Sequence, residues 1–189
     1  MVLMGWFASD EALGVFRVAL SCNVVVAMPV TILHIVLAPR LGPLHKNGQT
    51  AELQKLLVQS SVIMVATVLP IALGTWVIGR PAIELVFGQA YGPAWLPLFI
   101  LCVAQLCFGS FGMGPILLAM CEGERTLTKI YLISVGLGIT SAIPLIILFG
   151  AAGAAGATVV SSTLIGLMSW RYSREHLGVD CSVLPLLRR

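Results

Sequence analysis

Residues 143–158 read "IPLIILFGAAGAAGAT", and the eight residues 150–157 within this stretch are all glycine or alanine. A flexible linker would be flanked by polar residues, whereas Phe149 and Val159 continue apolar runs on both sides. The stretch also lacks the GxGxxG spacing, the preceding strand and the downstream acidic residue of a dinucleotide-binding loop. It therefore predicts two membrane helices whose backbones meet at close range.

Small residues divide this stretch into a predicted turn and a predicted packing face. Gly150 is expected to make the turn, because glycine adopts a positive φ angle without a steric penalty. Gly153 and Ala157 have the small-xxx-small spacing that lets neighbouring helices approach closely. We therefore predict structural packing roles for Gly150, Gly153 and Gly156, together with Pro144 before the turn.

Outside this stretch, the composition excludes an ordinary soluble domain. Hydrophobic residues make up 58% of the 189 residues and charged residues 10%, whereas soluble domains carry roughly 25% charged residues. The mean hydropathy is +1.00. A soluble fold of this size could not bury so much apolar surface, so the sequence predicts an integral membrane protein.

Long apolar segments alternate with short polar breaks, which is typical of a bundle of membrane-spanning helices. We predict an all-α, polytopic helical bundle of five full spans with a short N-terminal apolar stub at residues 1–7. Pro39 and Pro43 are expected to end the first span. Residues 1–178 are predicted to form this single transmembrane bundle, and residues 179–189 a short basic cytoplasmic tail. The five predicted spans are residues 13–38, 53–78, 94–120, 130–149 and 153–170.

Lysine and arginine residues indicate the orientation of these spans, because they concentrate in cytoplasmic loops. Alternate breaks between spans fall on opposite sides of the membrane. Nine of the eleven basic residues fall on one side, and Arg17 and Arg80 fall on the other. This bias predicts a multi-pass protein of a bacterial-type inner membrane with its C-terminus in the cytoplasm. The nine are Arg40, Lys46, Lys55, Arg125, Lys129, Arg171, Arg174, Arg188 and Arg189.

Several function classes have no support in the sequence. Neither a Ser/His/Asp arrangement in a suitable turn nor an HExxH motif is present, so we predict no catalytic residues and no enzymatic activity. The five cysteines form no CxxC pair, and we expect neither a metal site nor a cofactor. A formal charge of +3 leaves nucleic-acid binding without an electrostatic footprint.

Three polar residues within the predicted spans are candidates for lining a substrate cavity: Arg17, Asn23 and Gln105. Arg17 either extends toward the outer head groups or lines a water-filled cavity, because intramembrane charges commonly mark a substrate path. Asn23 and Gln105 either form hydrogen bonds between helices or offer polar contacts to a sugar. His34 is interpreted as a residue at the cytoplasmic boundary, with a proton relay as the alternative.

Five stretches, in order, resemble those of one transporter family. Residues 11–20, "EALGVFRVAL", resemble its glycine, aromatic, arginine pattern, and residues 37–56, "LAPRLGPLHKNGQTAELQKL", its proline-ended span and cytoplasmic loop. Residues 85–101, "LVFGQAYGPAWLPLFIL", are similar to its outer loop, and residues 116–126, "ILLAMCEGERT", to the end of the following span. Residues 143–158 resemble its proline, Phe-Gly turn and Gly-Ala-Ala helix start. The family is the oligosaccharide flippases, or polysaccharide biosynthesis transporters, of the multidrug/oligosaccharidyl-lipid/polysaccharide superfamily.

This resemblance implies a transporter that moves lipid-linked oligosaccharide from the inner to the outer leaflet by alternating access. It implies two six-helix halves around a central cavity, and this chain corresponds to the C-terminal half only. The implied partners are membrane lipids, the lipid-linked oligosaccharide, and either a separate N-terminal half or a second copy of the chain. Arg17 matches the family's arginine in "GVFRVA", so the resemblance implies that it faces a pyrophosphate-linked glycan.

Two alternative functions stay open at this point. An ion-coupled multidrug antiporter half of the same superfamily would need an intramembrane carboxylate for proton or sodium exchange. No Asp or Glu lies in the middle of a predicted span, although a missing half can carry one. The other alternative is a non-transporting structural or decayed membrane fragment, whose deletion would leave polymer export unchanged.

Overall fold

A computed structural model describes residues 10–111, 113–121 and 123–179 of the chain. Within these ranges the regular structure is helical and no strand occurs, which confirms the predicted all-α class. The predicted N-terminal stub at residues 1–7 lies outside the described residues. In chain order, the elements are α1 (Asp10–Lys46), α2 (Thr50–Phe87), a 3-10 helix (Gln89–Ala94), α3 (Trp95–Ser110), α4 (Gly114–Met120) and α5 (Glu124–His176).

Four helical segments among the described residues are long and apolar enough to cross a membrane: α1, α2, Gln89–Ser110 and α5. The most apolar 18-residue window in each has a mean hydropathy between 1.6 and 2.3. The predicted count of five spans is not matched. The fourth and fifth predicted spans both lie in α5, a single helical element of 53 residues. The third is interrupted, because α3 ends at Ser110 and α4 begins at Gly114.

Helix α1 is longer than predicted because its prolines do not end it, and α2 also extends beyond its predicted span. The expectation that Pro39 and Pro43 end the first span is wrong, since α1 continues through both to Lys46. Helix α2 likewise contains Pro70 and Pro81. Proline removes one backbone hydrogen bond, but neighbouring helices and local adjustments can satisfy the freed carbonyl group. Helices of 37 and 38 residues are about 55 Å long, well beyond a hydrocarbon core of roughly 30 Å.

Helix α5 reverses direction at Gly150, whose backbone angles of φ 56° and ψ −125° are not helical. A Cβ atom built on Gly153 would overlap the backbone of Leu145, and one built on Gly138 would overlap the hydroxyl of Ser161. In one continuous helix these pairs would lie about 12 Å and 35 Å apart. The two halves of α5, residues 124–149 and 151–176, therefore form an antiparallel helical hairpin.

The small residues near this turn differ in how closely they are packed. Gly153 and Ala155 are buried in the hairpin, and a side chain at Gly153 has no room. Gly156 is half-buried, and a Cβ there would make an ordinary contact with Leu145 Cδ1 at 3.9 Å. Pro144 lies on the exposed side of the helix. Of the predicted packing residues after the turn, Gly153 is thus the one on which the close approach depends.

The described bundle is centred on α3, which contacts α1, α2 and α5. Leu101 and Cys102 of α3 are buried in its core. Just beyond the C-terminal end of α5, Gly178 has a positive φ of 65°, and the Val179 N–H donates to the Ser173 carbonyl oxygen at 3.4 Å. Val179 is almost fully buried, so the chain stays packed against the bundle one turn beyond the end of α5.

Candidate functional site

Helix α1 carries Arg17 on its outward face, close to its N-terminus. Phe16 and Ala19 face the core and are 6% and 0% exposed, whereas Arg17 and Ser21 are exposed. Ser21 lies one turn further along, and its Oγ donates a hydrogen bond to the Arg17 carbonyl oxygen at 3.0 Å. Arg17 lies about 10 Å from the start of the helix. This depth is within the reach of a long basic side chain that extends toward the head groups.

Apart from the exposed hydroxyls of Ser21 and Thr31, which donate to carbonyl oxygens of their own helix, the surface around the Arg17 guanidinium is apolar. In the part of the chain that the structure describes, the ion pairs are Arg80–Glu84 and Arg171–Glu175, and neither involves Arg17. The surface is thus a row of exposed hydrophobic side chains with one uncompensated positive charge at its end. The apolar members, which are 58% to 69% exposed, are Val24, Val25, Met28, Ile32 and Ile35.

Asn23 lies roughly 9 Å further along α1 than Arg17. Its side chain is half-buried, and its Oδ1 atom is buried without a hydrogen-bond partner. A buried polar atom left unpaired costs about 1–3 kcal/mol. Within the described residues, the Asn23 Oδ1 is therefore a buried acceptor without a partner.

Gln105 lies at a different depth from Asn23. The His34 ring of α1 meets Phe108 of α3, and Asn23 is eleven residues before His34, roughly 16 Å along α1. Gln105 is three residues before Phe108, roughly 5 Å along α3, so it lies roughly 10 Å further along the bundle than Asn23. Gln105 is half-buried. The three predicted cavity residues thus occupy three successive depths, and the structure does not bring their side chains together.

His34 is half-buried and packs against α3. Its Nε2 atom is buried and has no hydrogen-bond partner. Its ring meets Phe108 of α3 edge-on, with the ring centroids 6.1 Å apart. Gln105 lies one turn before Phe108, so His34 and Gln105 are two polar groups at a similar depth. The sequence signal for His34 was a lone ionisable side chain between Pro29 and Pro39 in an apolar run.

A cleft of about 410 Å³ opens where α1 begins and α5 turns. Its lining includes Glu11 of α1, Pro93 of the 3-10 helix, Pro97 of α3 and Gly150 of the turn. Glu11 is the ionisable residue of this lining, and Arg17 lies less than two turns away on the same helix. The cleft is therefore apolar apart from one carboxylate, and the Arg17 guanidinium lies nearby on the same helix.

Metal binding has no basis in this part of the molecule. Among the residues that the structure describes, no group of three or more His, Cys, Asp or Glu side chains could hold a metal ion. Cys22, Cys102, Cys107 and Cys121 are free thiols. The polar groups of the candidate site are thus a guanidinium, two amides and an imidazole, which bind anions and hydroxyl groups by hydrogen bonding.

Comparison with known families relates this geometry to a class of proteins. A family model described as "Polysaccharide biosynthesis protein" matches residues 1–96, which include α1, α2 and the 3-10 helix. Searches of curated proteins and of solved structures gave no match. The matched region covers half of the chain and contains Arg17 and Asn23. The chain belongs to the polysaccharide biosynthesis protein family.

Proposed function

We propose that this chain is one half of a flippase-like transporter that moves a lipid-linked oligosaccharide across the inner membrane of a bacterium. Family membership and the apolar helices support a membrane role in polysaccharide biosynthesis. In this proposal each half of α5 crosses the membrane, which gives five passes with α1, α2 and α3. A second bundle, either a separate N-terminal half or another copy of the chain, completes the central cavity.

The observation that carries the proposal is the exposed guanidinium of Arg17 on the outward face of α1, which has no ion pair among the described residues. A lipid-linked oligosaccharide carries phosphate groups, and an anion that leaves water needs a compensating charge. Arginine can donate two parallel hydrogen bonds to a phosphate. Arg17 would therefore bind the phosphate at the outer end of the path, and the apolar row further along α1 would contact the second bundle.

Asn23 and Gln105 are proposed to contact the sugar units. The side chains of Asn23 and Gln105 are half-buried, and an amide group offers both donors and an acceptor to sugar hydroxyls. Their different depths suit an elongated substrate better than a compact one.

The test replaces Arg17 in the chain expressed together with its N-terminal half. Arg17→Ala should lower polymer export at an unchanged level of membrane-inserted protein, because the phosphate loses its partner. Arg17→Lys should retain part of the export, because it keeps the charge but not the two parallel hydrogen bonds. The matched control is Arg80→Ala, an exposed arginine already paired with Glu84. Undiminished export by Arg17→Ala would remove Arg17 from the mechanism.

An ion-coupled antiporter is less well supported by the described residues. Exchange of protons or sodium needs a carboxylate within the membrane. The carboxylates that the structure describes all lie in the first or last turns of helices, away from mid-span. They are Asp10, Glu11, Glu52, Glu84, Glu124 and Glu175. Gradient-dependent dye efflux by the chain and its partner half would favour the antiporter over the flippase.

A further inference from the structure

The fold gathers basic side chains at one end of the bundle. Helices α1 and α2 are joined there by the short turn 47–49, and Gly42 of α1 lies close to the Met120 carbonyl at the end of α4. Because α5 is a hairpin, its start and its finish also lie at this end. Seven basic residues and three acidic residues, Glu52, Glu124 and Glu175, lie here within the described ranges. The basic ones are Arg40, Lys46, Lys55, Arg125, Lys129, Arg171 and Arg174.

Four of these cations lie on the two helical halves of the α5 hairpin and form what we call the basic patch: Arg125, Lys129, Arg171 and Arg174. The hairpin register pairs Gly138 with Ser161. Continued toward the chain ends, this register brings Arg125 level with Arg174 and Lys129 level with Trp170. Packed helices have axes about 8–10 Å apart, so the long side chains of both helical halves can reach a common anion.

The basic patch is exposed and poorly neutralised. All four side chains are exposed. Arg171 and Glu175 approach to 3.7 Å, but their side chains are 69% and 59% exposed, and such surface pairs are weak. Neither Arg125 nor Lys129 has an ion pair within the described ranges. The patch therefore keeps most of its positive charge.

Aromatic rings place the patch at the depth of lipid head groups. The Arg174 guanidinium lies over the ring of Trp170, 5.6 Å from its centroid. One turn further along, the rings of Tyr172 and His176 stack at 4.1 Å. Tryptophan and tyrosine are enriched at the membrane–water interface. The apolar residues of α5 lie on one side of this level and the polar end of the helix on the other.

We propose that the basic patch is a binding surface for anionic phospholipid head groups. The patch is cationic, lies beside the ring of Trp170 and borders exposed apolar side chains of the hairpin, such as Leu132 and Ile133, that acyl chains can contact. Guanidinium groups bind phosphodiester oxygens well. The inference does not depend on what the protein transports, and failure of the flippase proposal would leave it intact.

The test measures quenching of Trp170 by brominated lipids after the full chain is reconstituted in phosphatidylcholine vesicles. Bromine quenches tryptophan at short range, and the Trp170 signal is the difference between the chain and its Trp170→Phe variant. Brominated phosphatidylglycerol should bind near Trp170 at least about tenfold more tightly than brominated phosphatidylcholine. The remaining tryptophans include Trp76 and Trp95, which touch each other at the opposite end, and should show little preference.

Substitution of the patch should remove this preference. Each basic residue near a membrane surface changes affinity for anionic lipid by about fivefold, so Arg125→Gln with Arg174→Gln should lower the preference by about 25-fold at most. The matched control is Arg80→Gln at the opposite end. If the double variant does not accumulate, the intact chain should still lose its preference as salt is raised. Equal quenching by both lipids, or displacement of the anionic lipid by excess inorganic phosphate alone, would overturn the proposal.

Discussion

Replacement of Gly153 by alanine tests the close approach within the α5 hairpin. A Cβ at this position would overlap the Leu145 carbonyl group and lie 2.9 Å from the Ile146 nitrogen. Backbone atoms cannot rotate away as a flexible side chain can, so the two halves must separate. Overpacking of a buried site costs about 1–3 kcal/mol. Alanine favours a helix over glycine by about 1 kcal/mol, which offsets part of this cost.

Gly156→Ala is the matched control for this prediction. It makes the same chemical change one turn further along, where the added Cβ has only an ordinary contact at 3.9 Å. It should therefore be neutral or stabilising by about 1 kcal/mol. Thermal unfolding of the two purified variants in one detergent should place Gly153→Ala below Gly156→Ala by about 1–3 kcal/mol. Equal stability of the two variants would refute the antiparallel register around Gly150.

Three further predictions concern other parts of the fold. Gly166→Ala should destabilise the protein by about 1–3 kcal/mol, because its Cβ would lie 2.6 Å from the Phe111 ring. Gly136→Ala, whose Cβ would have nothing within 4 Å, should not destabilise it, and thermal unfolding compares the two variants. Gly92→Ala should displace the Glu84 carboxylate, which would lie 2.5 Å from the new Cβ; the effect should be below about 1 kcal/mol and should vanish in a Glu84→Ala background. A reporter fused to the C-terminus should give a cytoplasmic signal, and a periplasmic signal would reverse the predicted orientation.

The helical class and the turn were predictable because both depend on local chemistry. Apolar runs of span length require backbone groups to be satisfied within each segment. Gly150 was predictable as a turn because few other residues tolerate its backbone angles. The ends of α1 were not predictable from Pro39 and Pro43, because the cost of a proline depends on what surrounds the freed carbonyl. In α1, the helix runs past both prolines beside α4 and α2.

The candidate site was only partly predictable for a related reason. Residue type identified Arg17, Asn23 and Gln105, but their relative depths depend on how α1 and α3 are aligned. The contact between His34 and Phe108 sets this alignment, and no local pattern encodes it. The enclosure of His34 likewise results from packing against α3 rather than from its own helix.

The single-residue turn at Gly150 has a consequence for biogenesis. With only one non-helical residue between the two halves of α5, no polar loop has to be carried across the membrane as the chain is inserted. In the predicted orientation, the hairpin would leave the translocon as one unit, with the Arg125 and Arg174 ends held back together on the ribosome side. The topology of both halves would then be decided in one step. Lengthening the turn with polar residues would separate that step into two.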